Sequence, residues 1–214
     1  MNSDSASDRS ITLRVEAIDQ LISIGKSVLE KLILPPVEEV GLLVTDHLRY
    51  FRLKNQVGIL MKADKYLKGK GIKTKRVATK VIASYLEDCS LEEDEGMKEK
   101  WAALLVNTVK EDSRVDNTLF SYMLSQLSPQ DAQILHRIFT AVVSESTGGI
   151  GKVYVHAHQV FLTSTVIREN PGADVSVDNL IRLRLLKEAG TNAEPFVYLT
   201  NLGFNFVLHC KYPG

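Results

Sequence analysis

Ser90-Leu91-Glu92-Glu93-Asp94-Glu95-Gly96-Met97-Lys98-Glu99-Lys100-Trp101 carries the signal on which the fold class turns. Ser90 and Glu93 have the spacing of a capping box, in which serine and glutamate side chains satisfy backbone N–H groups at a helix start. The acids around them suit the positive end of a helix dipole. Met97, Trp101, Leu104, Leu105, Thr108 and Val109 then recur at helical spacing, so a helix is predicted through to Val109. Trp101, amid Met97, Leu104 and Leu105, is expected in the core.

The same period runs towards the N-terminus. Ile11, Val15, Ile18, Leu21, Ile22, Val28, Leu29 and Leu32 form a first apolar stripe that Pro35-Pro36 ends. A long second helix is predicted from about Pro36 to Leu67, on a seam of Val40, Leu43, Tyr50, Leu53, Val57, Leu60, Ala63 and Leu67. Gly41 and Gly58 inside it point to close helix approaches, and Gly69-Lys70-Gly71 stops it. A third helix spans about Val77 to Asp88. Met1 to Ser10 reads as a disordered polar tail.

Towards the C-terminus, the polar run Glu111 to Asn117 is the expected boundary between two units. After a short segment, Leu119 to Leu127, Ser128-Pro129-Gln130-Asp131 is a strong helix start: a serine cap, proline first and an acid third. Gly148-Gly149-Ile150-Gly151 is a loop, and Lys152 to Ile167 is assigned to helix although its pattern also fits a strand. Ser176 is expected to cap a helix over Val177 to Glu188, Gly190 to Pro195 to turn, and Phe196 to Leu199 to form a short strand. Thr200 then caps a last helix, Asn201 to Cys210.

With 214 residues, 44% hydrophobic and 24% charged, the chain has room for one large or two small cores and is not disordered overall. Cys89 and Cys210 make no disulfide framework, and the N-terminal segment has no apolar signal core, so a cytoplasmic protein is expected. No stretch approaches the roughly 20 uninterrupted apolar residues of a membrane span. Zero net charge hides two opposed blocks: eleven basic residues against two acidic between Asp46 and Lys80, then seven acids against Lys98 between Glu87 and Glu99.

Chemical motifs fail individually. Gly25-Lys26-Ser27 resembles the end of a phosphate loop, but Gln20 stands where that loop needs glycine. His156 and His158 lack the further ligands of a zinc site, and the acids Glu87, Asp88, Glu92, Asp94 and Glu95 fit capping and salt bridges better than Mg²⁺. No G-x-S-x-G turn is present. No catalytic residues, metal, cofactor or small-molecule substrate are therefore expected.

Leu180-Ile181-Arg182-Leu183-Arg184-Leu185-Leu186, followed after a turn by Phe196 to Phe206, resembles the recognition helix, wing and final helix of winged-helix domains. Arg182, Arg184 and Lys187 are the candidate nucleic-acid contacts, but Asp174, Asp178, Glu188 and Glu194 leave that segment one charge negative. Such a face suits a protein partner better than a phosphate backbone.

Gly41-Leu42-Leu43, Arg49-Tyr50-Phe51-Arg52-Leu53-Lys54-Asn55, Ser90 to Glu95 and Trp101 to Asn107 together resemble the bacterial abortive-infection alpha family. Gln126-Leu127-Ser128-Pro129 and Leu199-Thr200-Asn201-Leu202-Gly203 extend the resemblance, which covers most of Pro36 to Cys210. It implies a role in resistance to phage and supplies no catalytic residues. The matched polar residues Arg49, Arg52, Lys54, Asn55, Glu92 and Asp94 become the candidate partner-binding surface, or an electrostatic latch between the basic helix and the acidic helix start.

The expected architecture is mainly α: a disordered tail over 1–10, a helical bundle over 11–110, and a winged-helix-like module with a short β wing over 118–214. The expected function is non-enzymatic phage defence through protein recognition, self-association or infection sensing. A nucleic-acid-binding regulator, using either the basic stretch Arg49 to Lys80 or the wing, is the first alternative. An effector that reaches the membrane through its N-terminal amphipathic helices is the second and less favoured one.

Overall fold

A computed structural model of the chain is mainly helical, with one small antiparallel sheet. It describes residues 19–25, 27–28, 47–113, 118–145, 159–160, 172–191 and 194–213. The tail, the start of the first helix, the Pro35-Pro36 junction, Gly41, the Gly148–Gly151 loop, His156 and His158 lie outside them. By backbone contacts the chain divides into two compact units, Met1–Tyr122 and Met123–Gly214.

In the first unit, residues 19–25 and 27–28 are helical and α1 spans His47–Lys70. Val57, Ile59, Leu60, Ala63 and Leu67 of α1 are buried. Ile59 falls off the expected seam because α1 is covered from more than one side. It packs on α2 (Thr79–Cys89) and α3 (Glu95–Val109), and its Val57 also faces Gly25. A Cβ on Gly25 would stand 3.2 Å from Val57 Cγ2, so this glycine marks a close helix approach. Gly58, expected in that role, has open space where its Cβ would be.

Gly71, at φ +61°, ends α1 with bonds from its N–H to Lys68 O (3.2 Å) and from Ile72 N–H to Leu67 O (3.0 Å). That is a Schellman termination, which glycine adopts without steric cost. The following loop is tied to the end of α3 by a Thr74–Lys110 bridge and by Lys75 N–H donating to Val109 O at 2.7 Å.

Ser90 does not start α3. Its hydroxyl donates to Glu87 O at 2.7 Å, closing α2, and Asp94 is the cap, with Oδ1 accepting Met97 N–H at 2.8 Å. Asp94 stands immediately before the first helical residue, Glu95, so its carboxylate reaches the orphan N–H at the third helical position. Trp101 through Val109 are all buried. Asn107 and Thr108 are satisfied within the helix by Ala103 O and Leu104 O, which lets α3 pass through the core on all faces. Trp101 is fully buried, edge-on to Tyr85 at 5.4 Å, whose hydroxyl donates to Trp101 O at 2.6 Å.

Next come α4 (Thr118–Ser125), with Phe120, Met123 and Leu124 buried, and α5 (Pro129–Glu145). The Ser128 start holds reciprocally: Asp131 N–H donates to Ser128 Oγ at 3.1 Å, and Ser128 N–H donates to Asp131 Oδ2 at 2.9 Å. In the second unit α5 packs on α6 (Ala173–Arg182), α7 (Asn201–His209), β1 (Gln159–Val160) and β3 (Glu194–Leu199). The sheet order is β1-β3-β2, with β2 spanning Leu186–Thr191.

Two expectations are corrected here. Gln159 and Val160 are strand rather than the expected helix, paired with Tyr198 and Val197. The helix expected to run to Glu188 stops at Arg182, and residues from Leu186 pair along β3, Leu186 against Leu199 and Glu188 against Val197. Arg184, at φ +61°, reverses the chain, with Arg184 N–H donating to Ile181 O (2.8 Å) and Leu185 N–H to Leu180 O (3.0 Å). The start also moves: Gly172 precedes the first turn, and Ser176 is buried within α6, its hydroxyl bonded to Asp131.

Candidate functional site

The candidate surface on α1 and the α3 start resolves into residues with different duties. Arg49 lies in the first turn of α1. Arg52 and Lys54 are exposed and make no ion pair with another described residue. Asn55 is 5% exposed, and its Nδ2 donates to Ser90 O at 3.2 Å, tying α1 to the end of α2. Beside it, Gln56 Nε2 donates to Leu86 O at 2.9 Å.

Across from them, Glu92 Oε1 accepts Asp94 N–H at 3.0 Å, and Asp94 is occupied as the α3 cap. Asn55, Glu92 and Asp94 thus shape the corner between α2 and α3. Arg52 and Lys54 remain as open surface.

The basic helix does meet the acidic helix start, through residues outside the candidate set. Lys62 Nζ bonds Glu99 and lies 3.4 Å from Glu95 Oε2, while Lys98 Nζ reaches Glu95 Oε1 at 2.9 Å. The Glu99 carboxylate, supported by Glu95, raises the Lys62 ammonium above its ordinary pKa against the opposing cost of burial. Lys98 and then Lys62 hold the Glu95 carboxyl below its usual range. Glu95 and Glu99 are exposed and Lys62 and Lys98 partly so, so the pairs add little stability and weaken with salt. Lys62 stands out in the sequence only as a cation off the apolar seam; its partners follow from how α1 lies on α3.

In the second unit, Arg182, Arg184 and Lys187 are exposed around the junction of α6 and β2. Arg182 Nε and Nη2 both donate to Asn179 Oδ1, at 3.1 and 2.9 Å. Asn179 Nδ2 in turn reaches Asp131 Oδ2 at 2.9 Å and Gln126 O at 3.0 Å. Burial alone would push the Asp131 carboxyl up, but hydrogen bonds from Ser176, the Ser128 backbone and Asn179 outweigh it and hold that carboxyl below its ordinary value.

Arg184 sits in the left-handed region, with its carbonyl accepting the Thr200 hydroxyl at 2.7 Å. Thr200 Oγ1 also accepts Gly203 N–H at 2.9 Å, so one threonine caps α7 and anchors the β2 entry.

Among the described residues no group of three or more His, Cys, Asp or Glu side chains is placed to hold a metal ion. Cys89 and Cys210 are buried free thiols, and burial pushes the Cys89 thiol far above its usual range. No helix among the described residues is long and apolar enough to cross a membrane.

No curated protein and no solved structure matches the chain. The model of the family described as abortive infection alpha matches residues 54–210, from Lys54 in α1 through the end of α7. Lys54, Asn55, Glu92, Asp94, Arg182, Arg184 and Lys187 fall inside that match, and Arg49 and Arg52 precede it. Spanning both compact units and well over half of the sequence, the match places this chain in the abortive infection alpha family.

Proposed function

We propose that the protein is a non-enzymatic, cytoplasmic phage-defence protein that acts by recognising a protein partner or sensing infection. The family match over residues 54–210 carries this reading, since abortive infection is what the family is described by. The second unit is read as winged-helix-like: α5, β1 and α6 precede a β2–β3 hairpin that serves as the wing, and α7 closes the module. Its element order and antiparallel pairing support that reading.

A protein partner is favoured at that module because Arg182, Arg184 and Lys187 share their surface with exposed Asp174, Asp178 and Glu188. With Glu194 the segment is one charge negative, so it offers no field that would gather a phosphate backbone. Arg182, held in place through Asn179, and Arg184 offer planar donors to a partner's carboxylates instead.

Phage growth on cells with and without the protein tests the proposal. Protection at a low infection ratio, with culture collapse at a high ratio, is the expected outcome. Unchanged plaque numbers across a broad phage panel would remove the defence reading.

A further inference from the structure

One end of the first unit concentrates cations, most of which pair with no acid among the described residues. From Lys65 to Leu86 the sequence contains seven basic residues and no acid. Lys68 pairs with Asp64 and Lys75 Nζ donates to Ser113 O, whereas Lys65, Lys70, Lys73, Arg76 and Lys80 are exposed and make no ion pair with any described residue. The nearby acids are Glu111, whose N–H bonds Lys73 O, and Asp112, 3.7 Å from Lys110. Among the described residues, counting Asp64, Glu111, Asp112 and Lys110 with the seven, this end keeps five positive charges.

The cations stand on an ordered frame. Gly71 fixes the end of α1, the Thr74–Lys110 bridge and the Lys75–Val109 bond pin the loop, and Val77 is buried beneath it. Of the acidic block, Glu95 and Glu99 are engaged by Lys62, one turn before Lys65 on α1, and Glu87 and Asp88 lie towards the far end of α2, about 10 Å along the helix from Lys80 at ~1.5 Å per residue. That exceeds the ~8 Å screening length at physiological salt, so those acids only partly offset the cations from Lys70 to Arg76.

We propose that this basic end, Lys65 to Lys80, binds the phosphate backbone of nucleic acid without regard to sequence. The inference goes beyond the defence reading and is tested separately from it. No aromatic side chain is exposed between Lys65 and Lys80, so base stacking adds nothing and phosphate contacts carry the binding. Among the described residues of the first unit the exposed large apolar side chains are Ile24, Met61, Leu91, Leu119 and Tyr122, all outside this stretch, which itself exposes no apolar anchor of the kind a membrane-seated loop uses. Arg76 adds a planar fork suited to phosphate oxygens. The site is distinct from Arg182, Arg184 and Lys187, where acids balance the cations.

The test titrates the full chain into a labelled DNA duplex of about 20 base pairs, read by fluorescence anisotropy. Five phosphate contacts give a log–log salt slope of about −4.5, or a loss of about 500-fold between about 50 and 200 mM salt. Lys73→Glu combined with Arg76→Glu should weaken binding at least about 30-fold and flatten the slope by about 2, with the melting temperature unchanged. Lys70→Gln combined with Lys80→Gln removes charge more gently, at sites without structural bonds, and should weaken binding about 10-fold.

Absence of binding at low salt overturns the proposal, as does binding that neither double variant weakens. Tighter sedimentation with phosphatidylserine vesicles than binding to DNA assigns the surface to lipid instead. Salt-sensitive self-association without DNA, abolished by the same variants, assigns it to a second copy of the chain.

Discussion

Gly203→Ala would test how the second unit closes. A Cβ at this position would stand 2.1 Å from Leu185 O, 2.9 Å from Leu185 C and 2.9 Å from Leu199 Cδ1. The Leu199 side chain can rotate, but the Leu185 carbonyl is backbone and already accepts Thr200 N–H at 3.1 Å and the Thr200 hydroxyl at 3.0 Å. Relief therefore requires the first turn of α7 to move off the α6–β2 junction by about 1 Å. Overpacking of this kind costs about 3 kcal/mol, the upper end of its usual range.

Weakening the Thr200 cap adds about 1 kcal/mol, and the better helix propensity of alanine returns about 1 kcal/mol. The net loss of about 3 kcal/mol should lower the melting temperature of a unit this size by about 12–24 °C. Calorimetry of the purified chain, with the matching Gly58→Ala variant alongside, reads the effect. Gly58 lies inside α1 with nothing within 4 Å of the point where an added Cβ would stand, so that substitution should stabilise by about 1 kcal/mol. If Gly203→Ala is neutral or stabilising, the close approach of α7 to Leu185 is wrong.

Asn55→Ala should destabilise the first unit by about 1–2 kcal/mol in urea unfolding, because it strands the buried Ser90 carbonyl, whereas Arg52→Glu should change stability by less than about 0.5 kcal/mol. Equal effects from the two would dissolve the division between corner and open surface. Asp131→Asn should cost about 1–3 kcal/mol at pH 7. Because the folded-state pKa of Asp131 lies below its ordinary value of 3.8, this advantage of the native carboxylate is full above that value and fades as pH falls through the folded one. Urea midpoints of both proteins from pH 7 to pH 2.5 should therefore converge at the acid end, and a constant gap refutes the assignment. Arg184→Gly should stabilise by about 0.5–1 kcal/mol in the same assay, since glycine takes φ +61° without a Cβ clash; a loss would mean that the arginine side chain itself holds the junction.

Much of the helical framework could be read in advance, since apolar spacing, proline and glycine act within a few residues of themselves. The Ser128–Asp131 box, the stop at Gly71 and the Thr200 cap are local bonds, and each formed where the sequence placed it. The buried Trp101 was legible for a related reason: its neighbours at helical spacing are apolar. The Ser90 start failed because Asp94 offers a competing acceptor four residues later, and spacing alone does not rank two caps. The candidate surface was legible only as opposed charge blocks. Asn55 looked like surface because it stands among cations, and nothing nearby in sequence announces the Ser90 carbonyl that buries it.

What the residues determined unaided is therefore the mainly helical class, most helix ends, and the cation-rich segment from Lys65 to Lys80. Tertiary structure alone decided that Leu186–Thr191 is strand, because its partner Glu194–Leu199 lies across a turn and ladder bonds outweigh an apolar pattern that serves helix and strand alike. It also decided which glycine is indispensable. Gly25 and Gly203 meet a neighbouring element and Gly58 does not, and that distinction exists only once another part of the chain has been laid against each.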